Sequence, residues 1–164
     1  MMFAASMVSV SKSFISWQLA VGSWQQASVN SNRIKLSDMS SSFRELKVYQ
    51  KAFTFAMKIF ETTKNFPNEE KYELTDQIRR FSRAICRAIG EGYRKRQYPR
   101  HFSSKMSDAD MENSETQISL DFARSYNYIG DKDYHSLIER SEEIGRMLNH
   151  MVLNPEKYMP KHKY

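Results

Sequence analysis

Apolar residues recur at helical spacing in four successive stretches between about residues 42 and 153, and none of them alternates with the period of a strand. The spacing predicts a first helix over residues 42–65, with Ser42 as its N-cap and Glu45 completing a capping box. One stripe of that helix is Leu46, Tyr49, Phe53, Met57 and Phe60; a second, of Val48, Ala52, Phe55 and Ile59, broadens the apolar surface. A helix apolar over so much of its circumference is packed on two sides, by neighbours in its own bundle or by another subunit. Phe66-Pro67-Asn68 ends it, because proline disfavours helical geometry in the residue before it.

A second helix is predicted over residues 69–93, with Tyr72, Leu74, Ile78, Phe81, Ile85 and Ile89 facing inward and Gly90 and Gly92 marking its C-terminal end. The third begins at Pro99, a residue suited to a first turn, and runs to about residue 126. On its inner face Phe102, Met106 and Ala109 give way to Asn113 and Thr116 before Leu120 and Ala123 resume. Polar residues there predict hydrogen-bonded packing or a solvated contact. The fourth follows a turn at Tyr128-Ile129-Gly130, with Asp131 or Asp133 as cap, and carries Tyr134, Leu137, Ser141, Ile144, Leu148 and Met151. Asn154-Pro155 stops it, leaving a basic, frayed tail over residues 154–164. Four long amphipathic helices on short loops predict an all-α fold, an antiparallel up-down-up-down four-helix bundle over residues 43–153.

Residues 1–42 differ in kind. They are rich in Ser and scatter Phe14, Ile15, Trp17 and Trp24 without sustained helical spacing, which reads as a disordered or mis-assigned N-terminal extension, with Met39 as an alternative initiator to Met1. No positive region precedes Phe3, and Ser6, Ser9 and Lys12 interrupt the apolar run, so a secretory signal is disfavoured. No run of apolar residues is long enough for a membrane-spanning helix. The single cysteine, Cys86, has no partner for an internal bridge, and the cytoplasm is the expected compartment.

Charge changes the picture more than composition does. The chain of 164 residues has a formal net charge of +6, but residues 77–105 hold nine Lys and Arg against the one acid Glu91, and residues 106–143 hold three against ten acids. Arg79, Arg83 and Arg87, spaced by four, climb one face of the second helix beside Arg80, and like charges at that spacing repel. Two readings follow. In one, these arginines bind phosphate, joined past the helix end by Arg94, Lys95, Arg96 and Arg100, with Tyr93, Tyr98 and Phe102 placed to stack on bases. In the other, Asp76 pairs with Arg80, while Asp108, Asp110, Glu112 and Glu115 meet the arginines within or between subunits. The loop from Arg94 to Arg100, with little acid beside it, is the cleaner phosphate site.

Catalytic patterns are missing from the sequence. The acids of the third helix lack the glycine and final-ligand spacing of a calcium loop. Lys132 and Met147 stand three residues before His135 and His150, where a di-iron bundle needs Glu. Cys86 lies near Arg83 and Arg87 in sequence, which would lower its pKa if they were near in space, but no histidine is placed to activate it. Neither a metal nor a cofactor is expected.

The segments Phe43-Arg44-Glu45-Leu46-Lys47-Val48-Tyr49-Gln50-Lys51-Ala52, Asn65-Phe66-Pro67, Leu74-Thr75-Asp76-Gln77-Ile78-Arg79-Arg80, Ile89-Gly90-Glu91-Gly92-Tyr93, Glu115-Thr116-Gln117 and Glu142-Glu143-Ile144-Gly145-Arg146-Met147-Leu148 occur in that order. Together they resemble the four-helix bundle proteins encoded by intervening sequences of bacterial 23S ribosomal RNA genes. Where that family carries Ser-Ile-Pro-x-Asn-Ile-Ala-Glu-Gly, this chain has Ala84, Cys86, Ala88 and Gly90 in place of Ser, Pro, Asn and Ala. Ala109, Asp110 and Asn113 replace a usual Gly-Ser pair and following Glu. The resemblance implies a ring-like homopentamer without enzymatic activity. A more distant likeness, of fold and charge, to the accessory proteins of diversity-generating retroelements implies nucleic acid and a reverse transcriptase as candidate partners.

Overall fold

The computed structural model describes residues 42–160, and among these all regular structure is helical. The expectations for residues 1–41 and 161–164 lie outside the described residues. Four long helices follow one another: α1 (Lys47–Thr62), α2 (Leu74–Arg94), α3 (Pro99–Ser125) and α4 (Asp131–Leu153).

Both of the first two helices start later than their patterns predict. Ser42 caps a 3-10 turn, Phe43–Glu45, by accepting from the Arg44 N–H, while the Glu45 N–H donates to the Ser42 carbonyl instead of its side chain. No capping box forms on that geometry, and extended Leu46 separates the turn from α1. Before α2, Asn68–Tyr72 is also 3-10, and Glu73 at φ −114°, ψ −109° breaks the helical path. The Glu70 carboxylate then accepts from the Leu74 N–H at 3.2 Å, serving an orphan donor of the first turn. At α4 the cap is Gly130, and Asp131 is held instead by Arg124 Nε at 2.9 Å. The reversal before it places Asn127 at φ 60°, a conformation asparagine tolerates better than most residues.

One continuous core draws on all four helices. In α1 it takes the second stripe, Val48, Ala52, Phe55 and Ile59, while Phe53 and Phe60 of the first remain 46% and 40% exposed. Of the residues predicted inward on α2, Leu74, Ile78, Ile85 and Ile89 are buried, Phe81 is half-buried and Tyr72 is exposed. Beyond α4, Pro155–Tyr158 forms a 3-10 turn, and Tyr158 stacks on buried Phe102 at 5.5 Å, so this part of the tail is ordered by packing, not frayed.

The polar interruption of α3 is resolved as hydrogen-bonded packing. Buried Asn113 donates to the Ser141 carbonyl at 3.0 Å and accepts from Ser141 Oγ at 2.8 Å, and Gln117 donates to the same Oγ at 2.8 Å. Each buried polar atom of this cluster therefore has a partner, which is what allows it inside an apolar core. Neither Gly90 nor Gly92 ends α2: the helix runs on to Arg94, and no glycine has a positive φ among the described residues. Gly92 is a point of close approach, since a Cβ there would lie 3.0 Å from Lys105 Cβ and closer still to Met106 Cε.

Candidate nucleic-acid interface

The core of α2 occupies one side of the helix, so the opposite side is presented to solvent. At about 100° per residue, Arg79, Arg83, Arg94, Arg87 and Arg80 fall within an arc of roughly 100° on that outer side. Arg80, Arg83, Arg87 and Arg94 are exposed, and Arg79 is half-buried at the edge toward α1. Local bonds hold several of them in place. Arg79 Nε donates to Thr63 Oγ1 at 2.7 Å, with its guanidinium 4.9 Å from the Phe60 ring centroid. Arg83 Nε donates to the Arg79 carbonyl at 2.7 Å, which lays its side chain back along the helix. Arg80 sits over Phe81 at 5.3 Å.

Within the chain, pairing of these arginines with the acids of α3 does not occur. Among the described residues, none of Arg79, Arg80, Arg83, Arg87, Arg94, Lys95, Arg96 and Arg100 lies in an ion pair, Asp76 with Arg80 included. The acids have other surroundings. Asp108 and Glu91 both pair with Lys105, at 3.1 and 3.0 Å. Burial raises the Asp110 carboxyl above its ordinary value. Burial and the neighbouring Glu115 charge likewise raise Glu112, against a weaker pull from Arg87 and Arg80. The α2 arginines are thus near enough for Glu112 to feel them but not to close a bond.

The predicted loop site is partly dispersed. Arg94 is the last residue of α2 and Arg100 the second of α3, so the loop between them is only four residues. Arg96 folds back, stacking on Tyr93 at 3.8 Å and donating to its carbonyl at 2.8 Å, whereas Arg94, Lys95 and Arg100 are exposed. Of the three aromatic residues expected to stack on bases, Phe102 and Tyr93 are buried, and Tyr98 alone is open, 56% exposed. Phe102 stands on the core face of α3, where a base cannot reach it.

Other rings lie beside the basic arc. Phe43 meets Tyr49 edge-on at 4.9 Å, and Phe53 lies near-parallel to Tyr49 at 6.3 Å. With Phe43, Gly90, Glu91, Arg87 and Arg94, Tyr49 and Cys86 line an open pocket of about 350 Å³ between α1 and α2. The double apolar stripe of the first helix was the signal for these residues, since only one of two such stripes fits against one core. Burial pushes the Cys86 thiol up to about 12, opposite to the lowering expected from Arg83 and Arg87.

A second exposed feature lies on α3. Met111, Ile118 and Phe122 are each at least half exposed and recur at i, i+7 and i+11, which sets them on the side opposite the buried Met106, Ala109, Leu120 and Ala123. The helix is therefore apolar on two opposite faces. Among the described residues, no helix is long and apolar enough to cross a membrane.

Residues 44–150 match the model of the family described as 23S rRNA-intervening sequence protein. A solved structure from Bacteroides thetaiotaomicron VPI-5482, described as a protein with unknown function from the S23 ribosomal protein family, is 29% identical, with a TM-score of 0.59 over 65% of this chain and 95% of that one. No curated protein gives a match.

Proposed function

The chain belongs to the 23S rRNA-intervening sequence protein family, and from that footing we propose that it is a cytoplasmic, non-enzymatic bundle protein that binds RNA or DNA without reading sequence. The bundle has its helices antiparallel, up-down-up-down. Lys105 of early α3 bonding to Glu91 of late α2, and Ser103 Oγ donating to the Val152 carbonyl of late α4 at 3.2 Å, support that order. The binding face is the outer arc of α2 continued by Lys95 and Arg100.

The observation that carries this reading is the row of exposed arginines without an ion-pair partner among the described residues, next to a lysine that has two. Guanidinium groups held apart at helical spacing repel one another, and a polyanion relieves that repulsion while releasing its counterions. Phosphate contacts of this kind favour binding that is strong at low salt and indifferent to sequence.

The second reading, an assembly or adaptor protein, is favoured by the apolar face of Met111, Ile118 and Phe122 with Glu115 beside it. That face on one copy meeting a different surface of another makes a head-to-tail contact, which closes into a ring when the rotation allows. A ring-like homopentamer fits both readings, and a reverse transcriptase is a further candidate partner in the second.

A fluorescence-anisotropy titration against structured RNA and single-stranded DNA over a salt series tests the first reading, which fails if neither binds at low salt. Arg83→Glu, Arg87→Glu and Arg94→Glu together separate the two readings; Arg79 is left in place because it anchors to Thr63. An intact oligomer that no longer binds RNA supports the first, and loss of the oligomer the second.

A further inference from the structure

Two rows run side by side along the seam between α1 and α2. On α1, Tyr49, Phe53 and Phe60 recur at i, i+4 and i+11 and share one face. On α2, Arg79, Arg83 and Arg87 recur at every fourth residue, and Arg94 continues the line. The rows are in register at both ends. Arg79 lies against the ring of Phe60 at 4.9 Å, and Arg87 and Arg94 share the open pocket with Tyr49. From Arg79 to Arg94 the seam is about 22 Å long, room for roughly six stacked nucleotides at about 3.4 Å each.

Tyr49 packs partly against the core, but Phe53 and Phe60 do not complete it. Phe53 and Phe60 are 46% and 40% exposed, and the core of α1 is already filled by the other stripe. Lys64 and Arg79 already lie over the Phe60 ring, and the exposed Phe53 ring costs hydration free energy unless something flat covers it. Cations along one edge, with no acid in ion-pair contact among the described residues, select a covering group that is also anionic. A nucleic-acid single strand has both properties, offering π-faces to the rings and phosphates to the guanidinium groups, whereas a duplex keeps its base faces stacked inside.

We propose that the ring row of Tyr49, Phe53 and Phe60 and the rail of Arg79, Arg83 and Arg87 form one track for a single strand, bases on α1 and backbone on α2. This rests on the reading of the basic face above, and deepens it by naming the strand state that the face selects. Gly90 contributes by absence: a side chain there would project toward the Phe43 ring, whose nearest atoms lie 3.7 Å from an added Cβ, and would narrow the pocket at the end of the track.

The test measures affinity of the full chain for labelled 12-nucleotide oligo(U), oligo(dT) and a 12-base-pair duplex. Phe53→Ala removes an exposed ring and is checked for folding by thermal unfolding; Tyr72→Ala, an exposed ring outside the track, is the control. Phe53→Ala weakens single-strand binding by about 5- to 150-fold, the range for one lost base–aromatic stack, and leaves duplex affinity unchanged. Arg87→Gln weakens both and lowers the single-strand salt slope by about 0.7. Oligo(U) and oligo(dT) responding alike makes the track indifferent to sugar, and a response of one alone assigns it to RNA or to DNA. Unchanged single-strand binding by Phe53→Ala overturns the track while leaving the basic-face reading standing. Absence of binding by every probe at low salt overturns that reading as well. A smaller oligomer in Phe53→Ala, with oligonucleotide affinity unaltered, identifies the row as a subunit contact and also overturns the track.

Discussion

Alanine at Gly90 and alanine at Gly92 are the same chemical change two residues apart in one helix, and their effects on stability should have opposite signs. Both positions have ordinary helical geometry, so either substitution gains about 0.5–1 kcal/mol from reduced freedom of the unfolded chain and better helix propensity. At Gly90 the added Cβ lies 3.7 Å from the Phe43 ring, an ordinary van der Waals contact, and the gain is kept. At Gly92 it would fall 3.0 Å from Lys105 Cβ and closer than that to Met106 Cε. Met106 is fully buried, so its flexible end must repack among core side chains, and Lys105 Cβ is fixed to the backbone of α3. Relief therefore requires α2 and α3 to separate, an overpacking cost of about 1–3 kcal/mol that exceeds the propensity gain. The two variants should differ by about 2 kcal/mol, which at about 4 °C per kcal/mol for a domain of this size is near 8 °C in Tm. Differential scanning calorimetry or urea denaturation at one fixed protein concentration measures it, since an oligomer's Tm depends on concentration. Adding Met106→Leu to Gly92→Ala removes the Cε and should recover part of the loss. If Gly92→Ala proved as stable as Gly90→Ala, the close approach of α2 and α3 at this level would be refuted.

Ser141→Ala removes the hydroxyl that donates to Asn113 and accepts from Gln117, leaving a buried Asn113 oxygen unsatisfied, and should lower stability by about 1–3 kcal/mol in urea denaturation. Asn113→Leu in addition removes that stranded acceptor, so the double variant should lose less than the sum of the singles. The Cys86 thiol, held up to about 12 from an ordinary 9.0, should react with iodoacetamide at pH 8 at least about tenfold more slowly in the native chain than in denaturant, because the loss of thiolate outweighs its higher nucleophilicity. A raised pKa means that the fold favours the neutral thiol, so its stabilising contribution is complete below about pH 9 and is lost as pH rises toward 12; Cys86→Ser should flatten that part of the stability–pH profile. Ser at Met111, Ile118 and Phe122 together should leave the unfolding midpoint of the monomer nearly unchanged, because these side chains are at least half exposed, while lowering the mass measured by light scattering if the α3 face joins copies.

Helix number, order and most boundaries were legible along the chain, because period and proline are local properties. Pro67 and Pro155 stop helices by their own covalent geometry, and the inner faces of α3 and α4 show in their spacing, polar Asn113, Thr116 and Ser141 included. Starts were harder, since whether residues 43–45 and 68–72 wind as 3-10 or α depends on bonds such as that from Leu74 N–H to Glu70.

Spacing alone left open which of two equally apolar stripes of α1 enters the core. Both satisfy the same period, and only the positions of α2 and α4 select Val48, Ala52, Phe55 and Ile59 and turn Phe53 and Phe60 outward. The glycines were ambiguous for a similar reason: Gly-x-Gly is permissive as a helix stop and equally as a close contact, and it is the presence of Met106 across the interface that makes Gly92 the latter. The basic character of α2 was evident from its arginines, but an ion pair is a matter of about 4 Å between side chains of different helices. Lys105 reaches Glu91 and Asp108 while Arg80, Arg83 and Arg87 reach no acid among the described residues, because charge is written residue by residue and distance is set only when the helices pack.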